Sequence, residues 1–324
     1  MSDHTLPSRE NPPIILLNPD GSYTRLISYP CSLPTPDPDS NTVALSKDLT
    51  INATTKTSVR IHIPKQTLTT VEKLPLIVYY HGGGFILTTA ATTVTHDLCD
   101  QLATHLLAVV VNVDYRLAPE HRLPAAYKDG VEALHWIKST NDPWLTKYAD
   151  FSNCYLMGTS AGANLAYHAG LRVSQQLVNL EPLKIKGLIL HSLFIGGVGR
   201  VESEIRFGRE GTQFSLSVSD TMWDFALPLD ASRDHEYCNV MMGGGVDDMG
   251  WIKDVGWRVL VTGRYGDMMI DRQMGFAKSL ELKGVECKCL YGDGDHGIEY
   301  FDKSKAKELF EEISSFVSSV NDTK

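Results

Sequence analysis

Gly158-Thr159-Ser160-Ala161-Gly162 sets a serine between two flanking glycines. It follows a short apolar run, 154–157, and opens a helix-like stretch. In that strand–turn–helix setting the turn lifts the hydroxyl clear of a sheet, and the helix N-terminus adds partial positive charge beneath it. The glycines belong there because the serine backbone is strained and a side chain on either flank would clash. The plain alternative is a turn rich in Gly and Ser. A second block, His81-Gly82-Gly83-Gly84-Phe85, follows the apolar run 74–80. Three successive glycines weaken helix and strand alike, so a loop is one reading. The chemical reading is bare backbone whose N–H groups converge on one small volume and stabilise a developing oxyanion.

A serine alcohol needs a base to take its proton and an acid to orient that base. In this arrangement acid and base follow the serine in chain order, at strand ends. Among eleven histidines, His296 in Gly292-Asp293-Gly294-Asp295-His296-Gly297 follows the last expected strand and precedes the last helix. His191, at the end of an earlier strand, is its nearest rival; His235 and His168 are less well placed. Asp267 sits at the end of the strand expected over 257–262 and is the expected acid. Asp271, four residues on, falls in the first turn of a helix and takes a supporting part. Asp293 and Asp295 are too close in sequence to His296 to hold its ring. In Asp114-Tyr115-Arg116-Leu117-Ala118-Pro119-Glu120-His121 the polar groups could touch substrate, but tying the turn to neighbouring loops explains them better. His81 is expected to fix its loop.

These residues need a scaffold of alternating elements. Strand-like runs fall at 49–51, 58–63, 74–80, 108–114, 154–157, 187–191, 257–262 and 286–291. Helix-like stretches fall at 95–107, 125–140, 161–178, 272–283 and 303–320. The runs at 74–80 and 108–113 are nearly continuous in apolar residues, as in strands buried on both faces of a mostly parallel sheet. The alternation predicts an α/β fold, doubly wound, with helices on both faces. Residues 1–47, rich in Pro, Ser, Asn and Asp, read as an arm, with 14–17 and 23–27 apolar enough to dock. Within the domain at 48–324, the insertion at about 194–250 shows no clear strand. It is expected to cap the carboxyl edge of the sheet, where ligands bind in such folds.

Composition sets outer bounds. The 324 residues are 43% hydrophobic and 21% charged, enough for a full core. Thirty Lys+Arg against 39 Asp+Glu give a net charge of −9, which argues against nucleic-acid or anionic-membrane partners. Six cysteines lack metal-type spacing, and Cys287 and Cys289 are expected to be strand neighbours without a bridge. No basic and apolar leader opens the chain, and no apolar run is long enough to span a bilayer. A cytosolic protein with reduced thiols is expected. The acceptor patterns at Asn52 and Asn321 are read as chance.

Together the blocks His81–Phe85, Asp114–His121, Gly158–Asn164, Gly266–Arg272 and Asp295–Gly297 resemble the hormone-sensitive-lipase-like branch of the α/β-hydrolases, and within it the plant carboxylesterases. The resemblance runs from about Ile14 to the C-terminus. It implies the α/β-hydrolase fold, a triad of Ser160, Asp267 and His296, and an oxyanion hole from the N–H groups of Gly83, Gly84 and Ala161. It also implies a lid made by the arm and the insertion, and hydrolysis of a small carboxylic ester without cofactor or metal. Two positions depart from the pattern: Thr159 stands where Asp or Glu is usual, and Asp295 where an aromatic residue is frequent. The extra carboxylate of Asp295 is expected to raise the pKa of His296. Phe85 and Trp223 are expected to line an apolar pocket, although core packing explains them equally well. The alternatives are a lyase or cyclase on the same scaffold, and a hormone receptor; the intact Ser160, Asp267 and His296 favour hydrolysis.

Overall fold

β-Branched residues set the centre of the molecule. In this computed structural model, residues 13–69, 72–176, 179–209 and 214–319 are described. The chain start and the Asn321 pattern therefore lie outside them, as do the last expected helical residues at 177–178 and 320. Ten strands are present among the described residues: Ile15–Leu17 (β1), Tyr23–Arg25 (β2), Ala44–Asn52 (β3), Thr57–Pro64 (β4), Leu74–Tyr80 (β5), Val109–Asp114 (β6), Ala149–Thr159 (β7), Ile185–His191 (β8), Arg258–Arg264 (β9) and Cys287–Gly292 (β10). The α-helices are Thr93–Leu106 (α1), Ala125–Ser139 (α2), Pro143–Tyr148 (α3), Ala161–Gln175 (α4), Glu202–Phe207 (α5), Leu216–Ala226 (α6), Gly245–Asp248 (α7), Gly250–Asp254 (α8), Ile270–Leu282 (α9) and Lys303–Ser318 (α10). None is long and apolar enough to cross a membrane.

β3 to β10 form an eight-stranded sheet in the order β10-β9-β8-β7-β5-β6-β4-β3. Pairing is parallel from β10 to β6 and antiparallel at β6–β4 and β4–β3. Successive strand residues point to opposite faces, so β5 divides its side chains. Leu76, Val78 and Tyr80 join the layer containing α2, α4 and α9, while Ile77 and Tyr79 join the layer containing α1 and α10. A fully buried aliphatic side chain contributes about 1.5–3 kcal/mol, whereas an exposed ion pair contributes under about 1 kcal/mol. These two layers therefore hold the strand ends in register.

From β5 the chain crosses to β6 on one side and then returns to β7 on the other. The loops after β5 and β7 consequently face each other at the carboxyl edge, the switch point where α/β sheets form crevices.

The arm holds more order than its composition predicts. β1 and β2 pair as a hairpin, Ile14 and Ile15 are buried, and β3 begins at Ala44, ahead of the expected boundary at 48. Arg25 anchors the hairpin through two 2.7 Å bonds to Glu120 and one to the Ile86 carbonyl. Arg116 grips Asp129 on α2 instead, so this block ties its turn to a helix and to the arm, not to neighbouring loops as expected. The insertion between β8 and β9 contains α5 to α8. α5 is fastened to α9 by Arg272–Glu204 at 2.6 Å and by the Ser203 N–H on the Asp271 carboxylate at 2.8 Å.

A polar network lies inside the fold between β4 and α1. Asp100 accepts from His62 Nδ1 at 2.7 Å and lies 3.4 Å from His96 Nε2, while Arg60 approaches His96 Nδ1 at 3.2 Å. All six cysteines are free, with Cys287 and Cys289 Sγ 3.7 Å apart on β10.

Candidate active site

Ser160 sits between β7 and α4 with φ 56° and ψ −120°. A non-glycine residue there is strained and persists only where its surroundings over-determine it. The constraints are visible: its N–H donates to the His191 carbonyl at 2.9 Å, and its carbonyl accepts from Ala163 and Phe194. Neither flanking glycine has a positive φ; both are required by contact. A Cβ on Gly158 would lie 2.1 Å from the Gly162 backbone, and one on Gly162 would lie 1.9 Å from the Tyr80 carbonyl oxygen. The elbow is thus wedged between β5 and its own helix. Thr159 is buried, and its hydroxyl accepts from the Tyr79 hydroxyl at 2.9 Å. A neutral partner to a neighbouring strand takes the place of the usual carboxylate.

His296 comes from the loop after β10. Its Nε2 lies 3.0 Å from Ser160 Oγ and its Nδ1 lies 2.8 Å from Asp267 Oδ2. Asp267 is almost completely buried at the end of β9, and it also accepts from the Met269 N–H and the Gln273 side-chain amide. Both oxygens are thereby fixed. Asp271 lies in the first turn of α9 as expected, but its carboxylate accepts from the Ser203 N–H of α5 and does not reach His296. His191 bonds Thr262 at 2.8 Å and stays behind the serine.

Burial is the largest influence on His296 and pushes its pKa down. The charge and hydrogen bond of Asp267, with the charge of Glu299, outweigh it and raise the pKa above 6.5. The expectation for Asp295 is corrected here. Asp295 is exposed and directed at Gly266, and the second carboxylate acting on His296 is Glu299, three residues on.

Gly83 and Gly84 adopt left-handed φ of 99° and 61°, which only glycine takes without strain. Side chains there would also collide with the Leu87 carbonyl oxygen and Met222 Sδ, each 2.2 Å from the added carbon. His81 braces this loop: Nδ1 donates to the Gly82 carbonyl at 2.9 Å, and the ring stacks on Tyr115 at 4.2 Å. Ala161 is the first residue of α4 and is buried behind Ser160.

A cavity of about 310 Å³ opens over Ser160, Gly83, Gly84 and His296. Phe85 and Trp223 are not among its walls. Phe85 packs on Tyr115, Tyr127 and Trp223, and Trp223 stacks on Phe194 at 4.4 Å, so both are core. Along α6, Val218 and Met222 share the cavity face, whereas Ser219, Trp223 and Ala226 face inward. The helical period from the Ser215 N-cap carries that division, and it was the missing signal. Other walls come from Phe214, stacked on His296 at 4.6 Å, and from Ile14, Ile27 and Tyr29 of the arm. The described lining carries no Asp, Glu, Lys or Arg.

A family model described as alpha/beta hydrolase fold matches residues 77–299. Carboxylesterase 20 of Arabidopsis thaliana is 48% identical to the chain, over 94% of this chain and 95% of that protein. A 3-O-acetylpapaveroxine carboxylesterase of Papaver somniferum is 45% identical over 84% of this chain and 90% of its own length. Among solved structures, an esterase of Pyrobaculum calidifontis is similar with a TM-score of 0.72 at 25% identity, covering 85% of each chain.

Proposed function

The chain belongs to the α/β-hydrolase family and is a carboxylesterase, and from that premise we propose that Ser160 is its nucleophile, His296 its general base and Asp267 the acid that orients it. The observation that carries this assignment is His296 bridging Ser160 at 3.0 Å and Asp267 at 2.8 Å beneath the cavity. Ser160 Oγ attacks the ester carbonyl while His296 Nε2 takes its proton. The N–H groups of Gly83, Gly84 and Ala161 receive the developing oxyanion. The imidazolium then protonates the departing alcohol, and water, activated by the same imidazole, releases the acid from the acyl-enzyme.

The substrate is a small neutral ester, such as a short-acyl ester of a plant metabolite. An apolar lining without a fixed counter-charge supports this, since burying an unpaired charge is costly. The arm and the insertion form the cap in this proposal, because Ile14, Ile27 and Tyr29 from one and Phe214, Val218 and Met222 from the other meet over the cavity. A reducing, cytosolic setting belongs to the same proposal and rests on cysteines without a pairing pattern. A lyase or cyclase reading is not favoured, as the relatives at 44–48% identity are named carboxylesterases, whereas a 2-hydroxyisoflavanone dehydratase of Glycyrrhiza echinata is 32% identical. An organophosphonate should label one serine per chain, with hydrolysis of short-chain nitrophenyl esters. Ser160→Ala should abolish both, and labelling that survives this change removes Ser160 as nucleophile.

A further inference from the structure

Three polar side chains meet at the ends of two strands and in the turn after His296, and the proton transfers above use none of them. Glu299 lies in the 3-10 turn Ile298–Tyr300 after His296. One of its oxygens accepts from Arg264 Nε, at the end of β9, at 2.6 Å. The other lies 3.1 Å from His191 Nε2 at the end of β8, an ion-pair separation too bent for a good hydrogen bond. The side chains of Glu299, Arg264 and His191 are only 3%, 7% and 2% exposed. Desolvating such groups is costly, and a buried ion pair is weak evidence for stability. Their burial calls for another role.

Their positions provide one. The His191 carbonyl holds the Ser160 N–H at 2.9 Å, and the Arg264 carbonyl holds the Asp267 N–H at 3.0 Å. Glu299 is three residues beyond His296 on the same loop. Each member of the cluster is thus fastened to a different one of the three loops that bear the nucleophile, the acid and the base.

We infer that Glu299 is a positioning residue: with Arg264 and His191 it clamps these three loops together and holds a second carboxylate three residues beyond His296. The inference rests on the triad proposed above. Burial, the largest influence on Glu299, pushes its pKa up; His191 and Arg264 outweigh it and hold the carboxyl at about 2. Glu299 therefore stays ionised throughout the working pH range. The groups facing it and His296 are His191 from β8, Arg264 and Asp267 from the end of β9, Tyr300 from the same turn as Glu299, and Glu308 from α10. Glu308 lies 3.5 Å from Arg264 and is itself paired with Lys305. When Ser160 gives up its proton, the imidazolium formed is stabilised by two carboxylates instead of one, which makes His296 the stronger base.

The test compares Glu299→Gln, which keeps the shape and removes the charge, with Glu299→Asp, which keeps the charge and shortens the reach. Small misplacements of reacting groups cost up to about 10²-fold in rate. Both variants should therefore lose kcat with KM unchanged, measured per phosphonate-titrated site. Only Glu299→Gln should move the acidic limb of kcat/KM to lower pH. Wild-type kcat and an unmoved limb in folded Glu299→Gln overturn the inference, as does a loss confined to thermal stability. If Glu299→Gln does not fold, Glu299→Asp and Arg264→Lys decide, and wild-type kcat in either overturns the clamp. Ser160→Ala runs alongside: turnover surviving there refutes the triad itself, whereas a wild-type Glu299→Gln beside an inactive Ser160→Ala refutes only the clamp.

Discussion

Among the described residues, two histidines hold a buried aspartate through Nδ1 at almost the same distance. His62 Nδ1 lies 2.7 Å from Asp100 between β4 and α1, and His296 Nδ1 lies 2.8 Å from Asp267 at the carboxyl edge. They differ at the other nitrogen. His296 Nε2 faces Ser160 and the cavity, whereas His62 Nε2 is sealed in the core without a hydrogen-bond partner. The surrounding charges also differ in sign. Burial is the largest influence on both rings and pushes both pKa values down. Asp100 raises that of His62, but the His96 and Arg60 charges lower it again, and its pKa ends below 6.5. Beside His296 stands Glu299 in place of a cation, and its pKa ends above 6.5. A histidine–aspartate pair is therefore not a site in itself. A strained nucleophile, an opening and the next ring of charge make one of these pairs chemical and leave the other structural.

Substitutions should separate the two pairs. His296→Ala removes the base and should cost about 10⁶-fold in kcat, read by nitrophenyl ester turnover, with a folded protein by circular dichroism. Asp267→Asn presents the wrong hydrogen-bonding pattern to His296 and should cost about 10⁴-fold, again without unfolding. Asp100→Asn should do the reverse. It weakens a buried network by about 1–3 kcal/mol, seen as a lower denaturation midpoint, while kcat per titrated serine is unchanged. Asp271→Asn touches only the α5 contact, so its effect on turnover should fall far below that of Asp267→Asn; the opposite ranking would reassign the acid.

The pH profile sharpens the same contrast. The base works only when neutral, and its folded pKa is raised, so the acidic limb of kcat/KM should lie above pH 6.5. The His62 pair should leave that limb untouched, which Asp100→Asn checks directly.

Much of the active edge was legible because its residues answer to local rules. Gly158 and Gly162 mark a close approach, Gly83 and Gly84 a left-handed turn, and Asp267 and His296 the ends of strands with strong apolar patterning. The eight-stranded sheet followed from the same patterning, down to most strand ends. The walls were harder to read. Phe85 and Trp223 attracted attention as large aromatics, yet packing turned them into the core while Met222 and Phe214 took the surface. Asp295 drew notice as the neighbour of His296, but direction along the chain counted for more than adjacency, and Glu299 holds that place. The arm has too few residues per strand for a period to emerge, and its hairpin forms because the loops bearing Ile86 and Glu120 are there to receive Arg25.

The most direct measurement is active-site titration with an organophosphonate followed by steady-state turnover, applied in parallel to the wild-type protein, Asp267→Asn and Asp100→Asn. Asp267→Asn should be folded and turn over about 10⁴-fold more slowly, and Asp100→Asn should be less stable with titrated sites that work at the wild-type rate. Wild-type turnover in Asp267→Asn, or lost turnover at titratable sites in folded Asp100→Asn, would contradict this contrast.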